Sequence, residues 1–187
     1  MKKTFRKLLV TTAALAIAAG VASAQDISKF VISDAAAKKT LMKNEINADT
    51  ARKIIDKCID IATKANMPIT IFILSPTGQI VASHRMDGQV PINIETALLK
   101  AQSVLVTRDS THLRANMIAT NIPQQIKWKE IGVFTTSGGL PIIAGGQMIG
   151  TIGIGGGSKD EEMAFEALEA VVGPQPPLVV NPPAPAK

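Results

Sequence analysis

The stretch over residues 137–158, S-G-G-L-P-I-I-A-G-G-Q-M-I-G-T-I-G-I-G-G-G-S, constrains the fold more than any other part of the chain. Two apolar runs flank Gly145-Gly146, a pair that accepts positive φ at both positions, as a type I′ hairpin turn requires. The stretch therefore predicts strands over 140–144 and 147–154. In the return strand Met148, Gly150, Ile152 and Ile154 share one face, and Gln147, Ile149, Thr151 and Gly153 share the other. Glycine weakens a strand unless something approaches its backbone closely. Gly150, Gly153 and Gly155 thus imply a packed helix, a neighbouring subunit or a flat ligand lying on the sheet, with helix packing the simplest of the three.

The same run is a poor dinucleotide fingerprint. Counted from Gly153, the third required glycine falls on Ser158. The helix that follows opens with Asp160, Glu161 and Glu162, which would repel a pyrophosphate at that end. No Walker loop is present.

Upstream, Ala51, Ile54, Ile55, Cys58, Ile61, Ala62 and Ala65 recur at helical spacing and predict a helix over 49–65, capped by Asn47 or Asp49. Cys58 is the single cysteine, so no intrachain disulfide can form, and on that apolar face it reads as a small buried hydrophobe rather than a thiolate ligand. An apolar strand over 69–74, a Pro76-Thr77-Gly78 turn and a return strand over 79–86 make a second hairpin. On the return strand His84 shares a face with Ile80, Ala82 and Met86 and is expected in apolar surroundings. Asn93 is the expected cap of a helix to about Leu105, with Ala97, Leu98, Ala101, Val104 and Leu105 buried and Glu95 in the first turn. A shorter helix carries His112, Leu113 and Met117; residues 121–130 read as irregular. Ser158 and Glu161 form a capping box for a last helix whose core contacts are Phe165, Leu168 and Val172. A short amphipathic helix is expected over 34–43. Segregated hairpins among helices predict an α+β domain, a central antiparallel sheet of two hairpins flanked by helices.

The two ends are read as outside that domain. Lys2, Lys3, Arg6 and Lys7, the apolar residues 8–21 and Ala22-Ser23-Ala24 make a signal peptide cleaved after Ala24. The apolar stretch is short for a membrane span. Neither a twin arginine nor a cysteine after the cleavage site is present, so an unlipidated periplasmic or secreted protein is expected, with no transmembrane segment in the mature chain. Most of the formal net charge of +5 belongs to this peptide, which holds those four of the 20 basic residues and none of the 15 acidic ones. With no basic stripe and 3% aromatic residues, nucleic-acid binding is not expected. The domain is placed at 25–172. Residues 173–187 hold six of the 11 prolines and predict an extended, mostly disordered tail.

Three segments together resemble a known family. The hairpin I-T-I-F-I-L-S-P-T-G-Q-I-V-A-S-H-R-M-D-G resembles the V-V-D-x-x-G-x-L-V-A-x-x-R-M-D-G segment of the GlcG/HbpS haem-binding family. I-E-T-A-L-L-K-A resembles that family's next helix, and G-G-L-P-I-I-A-G-G-Q-M-I-G-T-I-G-I-G-G its final hairpin. Ser75-Pro76 departs from the family's usual residues at the first turn. The resemblance implies a profilin-like α+β fold like the PduO C-terminal domain, a homo-oligomer, and binding of haem, with a corrinoid as the other tetrapyrrole. It does not transfer an iron ligand.

The absence of tyrosine excludes a tyrosinate-ligated haem. His112 begins a helix, where the dipole favours the neutral imidazole that binds iron. Leu113 and Met117 are expected to form an apolar wall beside it, with His84 as the other histidine candidate. Arg85, Arg108 and Arg114 are candidates to pair with propionates, while Arg85 and Asp87 of R-M-D-G, two apart on one strand face, read first as a structural pair before the Gly88 turn. No serine lies in G-x-S-x-G and no H-E-x-x-H or C-x-x-C occurs. A secreted haem-binding protein for capture or sensing is therefore expected; a cofactor-free sensor or interaction module and an enzyme on a small organic substrate are the alternatives.

Overall fold

The computed structural model of the chain describes residues 44–178. The signal peptide, the helix expected over 34–43 and the tail from 179 lie outside the described residues. The elements are α1 (Ala48–Lys64), β1 (Thr70–Leu74), β2 (Ile80–Arg85), α2 (Pro91–Thr107), α3 (Thr111–Ile118), α4 (Ile122–Glu130), β3 (Gly139–Ala144), β4 (Gln147–Gly155) and α5 (Asp160–Val171). The strands form one antiparallel sheet in the order β2-β1-β4-β3. Two hairpins thus join along β1 and β4, the α+β arrangement that the pattern predicts.

Each face of the sheet takes different helices. Ile71, Ile73, Ile142, Ile152 and Ile154 cluster with Ile54 and Cys58 of α1 and Ala164 and Leu168 of α5. On the other face α2 crosses β4 and β1. There Thr70, Phe72 and Leu74 of β1 stand opposite Gly155, Gly153 and Thr151 of β4. The glycines let the helix come down onto the strand: a Cβ on Gly153 would meet Ala97 O at 2.1 Å, and one on Gly155 would meet Asn93 O at 2.5 Å. Thr151 adds a hydroxyl bond to Ala101 O at 3.0 Å. Gly150 instead faces Leu74 O and Ile46. The close approaches found at all three glycines are therefore internal to the chain.

The Gly145-Gly146 turn has φ of 55° and 74°, as the hairpin reading requires. Asn47 caps α1, its side chain accepting from Thr50 N at 2.8 Å. Several boundaries differ from expectation. α2 starts earlier: Val90 is the N-cap, Pro91 occupies the first turn, and Asn93 lies inside it with its amide on Gln89. The stretch expected to be irregular is helical over Ile122–Glu130, because its N-cap Asn121 accepts from Gln124 N and Pro123 fits the first turn. Ser158 does not cap α5; Lys159 is the N-cap, without a side-chain bond. The start of the tail is docked, since Gln175 bonds to Ile143 and Leu178 packs on the core.

Gly153→Ala should lower stability by about 3 kcal/mol, because two backbones would have to part to admit one methyl group. Urea unfolding followed by circular dichroism checks this; a parent-like midpoint would mean that the helix yields without strain.

Candidate functional site

An apolar groove begins where α2 ends. Arg108 takes a left-handed conformation at φ 63°, its N–H closing on Val104 O, and turns the chain out of the helix. Ser110 then caps α3 by accepting from Leu113 N at 3.0 Å. That geometry carries Leu113 into a groove of about 290 Å³, which is walled by Leu140 and Ile143 of β3 and Phe165 and Leu168 of α5. Arg108 lines the same groove, with a guanidinium N–H 3.7 Å from the Met148 sulfur. Among the described residues Arg108 makes no carboxylate ion pair, so its charge is available to an anionic group at the mouth.

The other residues singled out by sequence do not all converge there. Met117 is 62% exposed and stays off the groove, although it follows Leu113 by one turn. Arg114 pairs with Asp109 and lies 4.9 Å over the Trp128 ring, tying α3 to α4. His112 is half-buried, on α3 beside Leu113, but does not itself line the groove; its Nδ1 lies 3.6 Å from a carboxylate oxygen of Glu161. His84 and Arg85 lie on β2, at the opposite edge of the sheet from β3. The apolar setting expected for His84 is not found: it is exposed, because β2 is an edge strand and only Val81 and Ala82 of it reach the core. His84, Arg85, Ile59, Met86 and Asp87 line a separate shallow recess, and Arg85 donates to Gln89 O rather than pairing with Asp87.

Cys58 is fully buried, and burial, with the Glu166 carboxylate behind it, pushes its thiol up to about 12. No thiolate is present at neutral pH, in keeping with a packing role. Among the described residues no group of three His, Cys, Asp or Glu could hold a metal ion.

Sequence reasoning missed a buried charged cluster. Lys100 is 4% exposed, and its ammonium donates to Ile154 O and to an Asp160 oxygen, both at 2.7 Å. Asp160 also accepts from Gly157 N at 2.8 Å. Burial raises the Asp160 carboxyl above its ordinary value of 3.8, outweighing the ammonium's pull. The folded state therefore holds that proton more tightly than the unfolded chain does, and the stability gained from it declines as pH rises above 3.8. Glu161, 2% exposed, accepts from Ser137 Oγ at 2.7 Å and Gly138 N at 3.3 Å. A polar recess of about 330 Å³ opens beside the Lys100–Asp160 pair, lined also by Thr96, Thr136, Gly156 and Gly157. The one available signal was periodic: Lys100 falls between Ala97, Ala101 and Val104 on the buried face of α2.

Known proteins share this architecture. A family model described as "Haem degrading protein HbpS-like" matches residues 46–169. The structure of a double mutant of HbpS from Streptomyces reticuli superposes with a TM-score of 0.63 at 25% identity, over 71% of this chain and 90% of that one. A PduOC–haem complex does so with a TM-score of 0.62 at 21% identity, over 68% and 95%. A curated relative, a 15.0 kDa protein in the dhaT-dhaS intergenic region of Citrobacter freundii, is 25% identical over 130 residues, 66% of this chain and 90% of its own length.

Breaking the buried pair from one side should be costly. Lys100→Met leaves a desolvated carboxylate and should lower stability by about 3–5 kcal/mol, while Lys100→Met/Asp160→Asn should recover more than half of that. Urea melts of the two variants beside the parent check it; equal losses would show that the pair is not energetically coupled.

Proposed function

This chain belongs to the HbpS-like family, and on that premise we propose that it binds haem in the groove between α3, β3 and α5. The observation that carries the reading is the groove's composition: apolar walls of Leu113, Leu140, Ile143, Phe165 and Leu168 with the Arg108 guanidinium at the mouth. A flat amphipathic anion needs this pairing of apolar wall and cation. Its volume of about 290 Å³ lies at the small end for ligand sites, so the groove would hold one edge of the macrocycle and leave the rest outside.

Within this proposal Arg108 pairs with a propionate. His112, next to the groove-lining Leu113 on α3, is the proposed iron donor, with the Glu161 carboxylate facing its Nδ1 as the outer group that would orient the ring. Met117, exposed and off the groove, adds no wall to it and has no part in this reading. Arg114 acts through position, by holding α3 against α4. His84 and Arg85 would serve a separate ligand contact at the far edge of the sheet. A corrinoid is the other macrocycle that the same wall suits. Capture or sensing of haem by an exported protein is the role proposed, on the strength of the signal-peptide pattern over residues 1–24. The described residues contain no helix long and apolar enough to cross a membrane.

A homo-oligomer is proposed as well. Nothing on α4 is buried, yet Ile122 and Ile126, one turn apart, are 67% and 53% exposed. Light scattering of the purified protein should report several chains per particle; a strict monomer at micromolar concentration would remove the proposal.

Hemin titration followed at the Soret band tests the main reading. The parent should bind, His112→Ala should bind about tenfold more weakly or worse with a shifted band, and His84→Ala should match the parent. Equal titration by all three rejects histidine ligation by His112. No binding by any of them favours the cofactor-free interaction module.

A further inference from the structure

The groove has a wall that the family model does not reach. The match ends at residue 169, whereas Gln175, Pro176, Pro177 and Leu178 all line the groove. Their attachment is specific. Gln175 Nε2 donates to Ile143 O, and Gln175 Oε1 accepts from Ile143 N, both at 3.0 Å. One side-chain amide thereby satisfies both main-chain groups of a residue on β3, an edge strand, as a pairing strand would. The same Nε2 lies 2.9 Å from Gly173 O, folding the segment back after α5.

Beyond Gln175 the pairing cannot continue. Pro176 and Pro177 have no N–H to offer and favour an extended course. That course delivers Leu178, half-buried, onto the edge of the core. The segment is therefore tied down at one latch and one apolar foot, with two exposed prolines between them. Segments with so few buried contacts open locally at small cost, far below that of global unfolding. The floor they cover, Leu140, Leu113 and Phe165, remains in place when they lift, since those residues belong to β3, α3 and α5.

We propose that residues 175–178 are a gating strap over the ligand groove, and that opening of the Gln175–Ile143 latch sets how fast a flat apolar ligand enters. The inference rests on the reading of the groove as a ligand site. A strap that only protects the edge of β3 would leave ligand entry unaffected.

The test uses the full-length chain with Gln175→Ala, which removes the latch, and Leu178→Asp, which removes the foot. Thermal melts first establish that both fold. Stopped-flow mixing with hemin should then show association faster than in the parent by on the order of tenfold, the population change expected from losing one or two partly buried hydrogen bonds. Association rates equal to the parent's in both variants would overturn the proposal. If hemin binds to none of the three proteins, the haem reading fails on its own, and the strap is judged with anilinonaphthalene sulfonate as a probe of the uncovered apolar floor. Higher dye fluorescence in the variants than in the parent supports the strap, and equal fluorescence overturns it.

Discussion

The contact on which the rest of the structure depends is the approach of α2 to β4 at Gly153. The helix and the strand touch backbone to backbone, with room for no side chain between Ala97 O and the strand. That distance fixes the height of α2 over the sheet, and three consequences follow along the helix. Asn93, Ala97 and Ala101 are set against Gly155 and Gly153. Lys100, one residue before Ala101, is buried there and reaches Ile154 O and Asp160. At the end of the helix Arg108 turns left-handed and starts α3 beside β3. The groove is thus positioned by a contact on the other face of the sheet.

The Lys100–Asp160 pair shows what such a constraint costs and what it fixes. Two charges are taken out of water, and the raised carboxyl of Asp160 reports that burial outweighs attraction on that group. A well-packed apolar pair of similar volume would serve stability as well or better. The pair does supply register. Lys100 reaches Asp160 in the first turn of α5, and Glu161 next to it accepts from Ser137 and Gly138 at the entry to β3. The start of α5 is tied in this way to both α2 and the final hairpin. Because α5 also carries Phe165 and Leu168 into the groove, the depth of the groove depends on where that first turn is held.

Much of this was legible in the sequence, and the reasons are local. The final hairpin was readable because Gly145-Gly146 and the alternating apolar residues are satisfied within a few residues of chain. α1 was readable for the same reason: one uninterrupted apolar stripe and one cap. The failures share a cause as well. Asp160 and Glu161 look like solvent-facing acids in a first helical turn, and only the tertiary placement of Lys100 and Ser137 turns them inward. His84 alternates with apolar residues, as a core residue would, but alternation cannot say that its strand lies at an edge. Residues 121–130 lack an apolar stripe because α4 buries nothing in this chain, so the period that marks a helix was absent even though its Asn cap and Pro were present. Of the candidate site, Leu113 and Arg108 could be found from sequence spacing; Leu140, Ile143, Phe165 and Leu168 join them only through the fold.

The groove and the polar recess beside Lys100 divide the chemistry of the molecule between them. The recess has a fixed ammonium and a fixed carboxylate, both already bound to each other, and its polarity is therefore largely spent inside the protein. The groove has the opposite character: its floor is apolar, and among its lining residues the cation, Arg108, is held by its backbone and a weak contact to sulfur. At the groove, too, local rules are broken: a non-glycine residue takes positive φ, and a proline-rich stretch lies along the open edge of β3. Breaks of that kind are tolerated where binding rather than stability sets the requirement. In the ligand site proposed above, specificity would come less from the apolar floor than from what stands at its edges, the charge of Arg108 and the docked residues 175–178.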